Sequence, residues 1–167
     1  MVTLFIDYEH LNFTLSNDYK INLVLYDTPG LRRNHNVFLS YYKGIDAIIM
    51  CYDITYYNTF LNMKNYWYKR IIEQKDKQNL VLGIIGNKVD LLEDKKVDDE
   101  EAIKFAKEIN ANFSLVSLES YKEAENLFND ICLKLIDNVR NNKDIIDIDD
   151  KNYIITEMEV YKVNLIK

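Results

Sequence analysis

Two short runs carry residue types that could do chemistry. The first is "YDTPG", in which Asp27 closes the apolar run "KINLVLY" and Gly30 follows three residues later. An Asp at a strand's end can hold Mg²⁺ through a water, and the Gly can bring a backbone N–H close to a γ-phosphate oxygen. The second is "GNKVD", Gly86 to Asp90, which closes a later apolar run. Asp90 can accept two hydrogen bonds, from the ring N–H and the exocyclic amine of guanine. Asn87 can bind the purine's other edge, and the Lys88 stem can lie across the base. Adenine offers no matching pair of donors and would leave the carboxylate unpaired. A third piece, "VSLE", puts Ser117, Leu118 and Glu119 where a loop could offer backbone N–H groups to the guanine oxygen. Each piece alone has an ordinary alternative: a strand and a turn for the first, a helix cap and a solvated charge for the second. Position sharpens them, because each stands where a strand stops and they come in the order a nucleotide site requires.

Those residues need elements to hold them. "TLFIDYEHLNF" and "YKINLVLY" flank "TLSND", which suits an antiparallel hairpin. "DAIIMCYD" and "NLVLGIIGN" are nearly unbroken apolar runs, the pattern of strands buried on both faces of a parallel sheet. "NFSLVSL" is a shorter strand. Ala102, Phe105, Ala106 and Ile109 repeat at helical spacing behind Asp98 and Glu101 as a capping pattern. Ala124, Leu127, Phe128, Ile131 and Leu135 do the same behind Ser120 and Glu123. A weaker stripe runs through Phe60, Met63, Trp67 and Ile71. These stripes are core. Strands alternating with helices give an α/β domain with a mostly parallel sheet, and its ligand belongs at the carboxyl ends of the strands. From about Asn141 the helical pattern fades into an acidic, Asn- and Ile-rich tail, which reads as a linker or a weakly ordered strand.

The bulk numbers narrow the function classes. The 167 residues are 48% hydrophobic, enough for one domain with a proper core. A formal charge of −6, with the 21 basic residues scattered, argues against a nucleic-acid groove. Cys51 and Cys132 sit in apolar runs and read as small buried hydrophobes of a reducing compartment. No apolar run reaches the ~18 residues that span a bilayer. Asp7 and Glu9 interrupt the N-terminal apolar stretch, so it does not read as a secretory signal. His10 and His35 have no metal-ligand partners at a usable spacing. The expectation is a soluble, cytoplasmic protein.

Together the residues resemble the Ras superfamily of small GTPases, and the Rab family within it. "YDTPG" matches the family's "WDTAG", "SYYKGIDAIIMCYDIT" follows "SYYRGAxGIILVYDIT", "GNKVDL" is the guanine motif, and "VSLES" is similar to "TSAKT". "TLFIDY" aligns with the switch segment "TIGVDF". The match covers Val2 to about Arg140. It implies a three-layer Ras-like P-loop NTPase fold, mostly parallel with one antiparallel edge hairpin, over residues 1–141, followed by a tail over 142–167. It implies a guanine-nucleotide-dependent switch in vesicle and protein transport, using GTP, GDP and Mg²⁺. Thr3 and Asp27 would serve the metal, and Thr3, Gly30, Asn87, Lys88, Asp90, Ser117, Leu118 and Glu119 the nucleotide. Its partners would be effectors, an exchange factor and a GTPase-activating protein, met as a monomer at the cytosolic face of endomembranes. An aromatic triad for effectors falls on Tyr8, Tyr26 and Tyr41.

The departures are as informative as the match. The family begins with a strand, a phosphate-binding loop (Gly-x-x-x-x-Gly-Lys-Ser/Thr) and a helix, about thirty residues that have no counterpart before Thr3. The missing strand would lie mid-sheet, between the strands ending at Asp27 and Asp53, leaving a gap of unpaired backbone groups. Leu31 stands at the family's catalytic Gln position and has neither donor nor acceptor to orient a water. Pro29 stiffens the same loop. The chain ends "VNLIK", with no Cys for a prenyl group, so membrane association would be indirect. A second reading follows, a nucleotide-free Rab-like module that serves as a protein-interaction scaffold.

Overall fold

A computed structural model of the chain describes residues 7–14, 20–28, 45–73, 80–117, 122–142 and 160–166. In chain order these residues form β1 (Asp7–Thr14), β2 (Lys20–Thr28), β3 (Ala47–Asp53), α1 (Tyr57–Asn62), a π-helical stretch (Met63–Trp67) and α2 (Tyr68–Glu73). There follow β4 (Val81–Asn87), a 3₁₀ helix (Val89–Asp94), α3 (Asp99–Glu108), β5 (Asn112–Val116), α4 (Lys122–Asn142) and β6 (Val160–Ile166).

Alternation along the strands sorts the apolar residues onto two faces. Ile48, Met50, Tyr52 and Ile84 pack with Phe60, Met63, Trp67 and Ile71 of the α1–α2 stretch and with Ala102, Phe105 and Ala106 of α3. The intervening residues Ala47, Ile49, Val81 and Ile85, with Ile21 and Leu23, pack against Leu127, Ile131, Cys132 and Leu135 of α4. Both faces of the sheet are therefore covered, which is why the β3 and β4 sequences read as unbroken apolar runs. Gly83 lets α4 lie close, since a Cβ there would stand 3.0 Å from Ile131 Cδ1.

The helix-start signals of the sequence are met in part. Asp98 caps α3, its side chain accepting from Glu100 N at 3.0 Å. Glu101 turns to Tyr57, whose hydroxyl donates to its carboxylate at 3.2 Å. At the other end Asn110 takes φ 54°, and Ala111 N donates to Ala106 O at 2.8 Å, closing the helix in a left-handed cap. Ser120 lies outside the described residues.

The sheet order is β1-β2-β6-β3-β4-β5. β1 and β2 form the expected antiparallel edge hairpin, while β2, β6, β3, β4 and β5 are parallel to their neighbours. The mid-sheet gap implied by the resemblance is not open. β6, from the segment expected as a tail, pairs with β2 from Asn22↔Val160 to Thr28↔Ile166 and with β3 from Ala47↔Val163 to Met50↔Ile166. The physical reason is the one that made the gap implausible. Backbone N–H and C=O groups of two buried strands need partners, and a strand between them satisfies both ladders at once. The C-terminal segment thus supplies a central strand of the sheet, between β2 and β3.

Candidate functional site

Because β2, β6, β3, β4 and β5 run in parallel, their carboxyl ends share one edge of the sheet. Asp27 stands at the end of β2, Asp53 at the end of β3, Asn87 at the end of β4, and Ser117 just beyond β5. The edge is stepped. Asp27 pairs with Leu165, which pairs on its other side with Ile49, four residues before Asp53. Asp53 in turn pairs with Asn87, and Asn87 with Val116. Asp27 therefore lies one step down and three strands across from Asn87, roughly 14 Å sideways at ~4.8 Å per strand.

The β4 end of this edge is a knot of short bonds. Asn87 Oδ1 accepts from Lys88 N at 2.8 Å, which leaves the amide donors of Asn87 for a ligand. Lys88 takes φ 70°, the left-handed region, turning the chain sharply out of β4 into the 3₁₀ helix that carries Asp90. Asp90 is exposed in the first turn of that helix, so its carboxylate is open to a ligand. Lys88 Nζ reaches back to Asp53 Oδ2 at 2.5 Å. Asp53 Oδ1 accepts from Thr55 N at 2.8 Å and Thr55 Oγ1 at 2.7 Å, an Asx turn that ends β3. Thr59 Oγ1 accepts from Asp53 N at 2.9 Å. Burial acts to raise the Asp53 carboxyl, but the hydrogen bonds from Lys88 and Thr55 and the lysine's charge outweigh it. They hold Asp53 below the usual carboxylate range.

Gly86, the first residue of the guanine motif, has a packing role. A Cβ there would meet Leu115 Cδ2 at 2.6 Å and Tyr52 Oη at 2.7 Å. The glycine lets the Tyr52 ring lie over the backbone of β4. Burial, with the charge of Asp99 nearby, pushes the Tyr52 phenol well above its ordinary value.

The structure brings Asp27, Asn87, Lys88, Asp90 and Ser117 to one edge. Thr3, Gly30, Leu31, Leu118, Glu119 and Tyr41 lie outside the described residues. Tyr8 and Tyr26 face each other across the hairpin, with ring centroids 6.4 Å apart. Tyr8 is 62% exposed. Tyr26 packs partly against the core, so Tyr8 is the cleaner probe of docking. Sequence reasoning missed Asp53, Thr55 and Thr59. The signal was present in "YDIT", where an Asp closes a buried strand as Asp27 does, but that stretch served only to mark the fold. Among the described residues, no group of three or more His, Cys, Asp or Glu is placed to hold a metal ion, and no helix is long and apolar enough to cross a membrane. One carboxylate such as Asp27 still fits Mg²⁺ chemistry, since that ion is commonly held by one or two carboxylates together with substrate phosphates.

The sequence model of the Ras family matches residues 2–137. The Ras-related protein RABC2a of Arabidopsis thaliana is 33% identical over 135 residues, 81% of this chain and 64% of that protein. RABC1 of the same plant is 32% identical over 135 residues, 81% of this chain and 63% of that protein. The Ras-related protein Rab-21 of Bos taurus is 34% identical over 118 residues, 71% of this chain and 52% of that protein. The chain thus spans less than two thirds of the length of these relatives.

Proposed function

The chain belongs to the Ras family, and on that premise we propose that it is a Rab-like guanine-nucleotide switch in intracellular transport. The observation that carries the reading is the placement of Asn87, Lys88 and Asp90 at the end of β4, on the same sheet edge as Asp27. Asp90 accepts from the ring N–H and amine of guanine. The Asn87 amide donates to the opposite purine edge, and backbone N–H groups over Ser117, Leu118 and Glu119 serve the guanine oxygen. Asp27 and Thr3 would hold Mg²⁺, and Gly30 would meet the γ-phosphate. The ion, when bound, neutralises phosphate charge. Hydrolysis of GTP to GDP and phosphate is slow in this reading, because Leu31 cannot orient a water. Effectors dock on the Tyr8, Tyr26 and Tyr41 face, at the cytosolic side of endomembranes. The domain in this reading is residues 1–141, with β6 paired into its sheet. The relatives' names lend no support to the nucleotide-free scaffold.

Competition of GTP, ATP and XTP for a fluorescent guanine nucleotide tests the base site. Asp90→Asn removes a charged acceptor pair, so GTP should weaken by at least about tenfold while XTP gains. ATP competing as well as GTP against the wild-type chain would overturn the reading.

A further inference from the structure

Lys88 leaves β4 with its ammonium 2.5 Å from Asp53 Oδ2, at the end of the neighbouring strand. Asp53 and Asn87 are register partners, so the lysine stem crosses one strand spacing, ~4.8 Å, along the carboxyl edge. The carboxylate at its far end is itself fixed. Two bonds from Thr55 seat Oδ1, and Thr59 Oγ1 accepts from the Asp53 amide. At its near end the lysine is fixed by its left-handed backbone and by the bond from its own N–H to Asn87 Oδ1. A lysine stem ordinarily samples many rotamers, and ordering it on binding weakens affinity. Tethered at both ends, it is an apolar bar of set direction beside Asn87.

We propose that Asp53 is a positioning residue of the base site: it holds the Lys88 stem in place as a shelf for one face of a guanine base bound between Asn87 and Asp90. This rests on the guanine reading above. The alternative is a surface ion pair with no bearing on ligand. Lys88 is 49% exposed and Asp53 20%, so such a pair would contribute little to folding by itself. The two differ in what happens to base binding, and in whether the effect of Asp53 depends on Lys88.

The test is ligand-observed saturation-transfer NMR on the full 167-residue chain, titrated with GMP and with AMP, for wild type, Asp53→Asn, Lys88→Met and the double variant. Asp53→Asn keeps the acceptor for Thr55 and loses the charge. It should weaken GMP by roughly two- to tenfold, leave the GMP-to-AMP preference unchanged because Asp90 sets it, and have no further effect in the Lys88→Met background. Thermal unfolding confirms that each variant is folded. GMP binding by Asp53→Asn equal to wild type, or losses that multiply in the double variant, would overturn the inference alone. A wild-type chain that does not respond to GMP would overturn the guanine reading and this inference with it. Should Asp53→Asn fail to fold, Lys88→Met decides, since wild-type affinity in that variant would leave the tether without a role.

Discussion

The β4 end of the sheet edge, proposed for a base, and the β2 end, proposed for phosphates, are built in different ways. At the base end, Asn87 holds Lys88, Lys88 holds Asp53, and Asp53 holds Thr55, through contacts among the ends of two adjacent strands and the turns that follow them. At the phosphate end, Asp27 sits on a strand whose inner neighbour, β6, comes from the opposite end of the chain. One end is held by side-chain bonds between residues up to 35 apart in sequence (88 − 53). The other depends on pairing across more than a hundred residues, which pays its loop-closure entropy before any contact rewards it. The base end should therefore tolerate perturbation of a side chain, and the phosphate end should fail as a unit when its strand is broken.

The largest effect expected is accordingly in β6. Val163 pairs with Leu25 on one side and with Ala47 on the other. Val163→Pro removes a ladder hydrogen bond in a central strand, and should lower unfolding free energy by about 3 kcal/mol or more in urea denaturation. An unchanged urea midpoint would remove β6 from the sheet and reopen the gap between β2 and β3.

Next in size is the packing under the guanine motif. Gly86→Ala forces a Cβ into Tyr52 and Leu115 and should destabilise by about 1–3 kcal/mol. Tyr52 Oη is buried with no hydrogen-bond partner among the described residues. Tyr52→Phe alone should thus be neutral or slightly stabilising, and should relieve part of the Gly86→Ala loss. Strict additivity of the two changes would show that Leu115, not the phenol, sets the constraint.

The same contrast explains what was legible beforehand. β3 and β4 could be read from "AIIMCYD" and "VLGIIGN" because burial on both faces leaves an unbroken apolar run. The cap at Asp98 and the stripe through Phe60, Met63, Trp67 and Ile71 were legible because their partners lie within a few residues or on one helix face. β6 was not, because "VYKVNLI" acquires its place only from β2 and β3, which lie more than a hundred residues earlier. Asp53 was hidden for a related reason. Its lysine partner is 35 residues away (88 − 53), brought near only by the register of β3 and β4. Asn87 and Asp90 could be placed at a strand's end from the sequence, since the run that holds them is contiguous.

On the hairpin, the exposed Tyr8 separates docking from stability. Tyr8→Ala should leave the unfolding free energy within about 0.5 kcal/mol of wild type, while reducing capture of an effector that uses the aromatic face. Loss of both together would mean that Tyr8 supports the Tyr26 ring in the fold rather than a partner.

The smallest effect, and the sharpest for the comparison, is the pH dependence of Asp53. Its carboxyl is held below the ordinary range in the folded chain, so the folded state binds its proton less readily than the unfolded state does. The stabilisation is then fully present above the unfolded value, ~3.9, and is lost as pH falls through the depressed folded value. Asp53→Asn removes the titration. Its stability deficit relative to wild type should be no more than about 1 kcal/mol near neutral pH, given how exposed Lys88 is. The deficit should shrink as the solution is acidified below pH ~4. Urea midpoints of the two proteins measured from pH 7 down to the acid limit of folding would show the curves converging. A deficit that stays constant with pH would mean that neither the charge on Lys88 nor the bonds from Thr55 shift the Asp53 carboxyl in the folded chain, and the tether from β3 across to β4 would lose its electrostatic support.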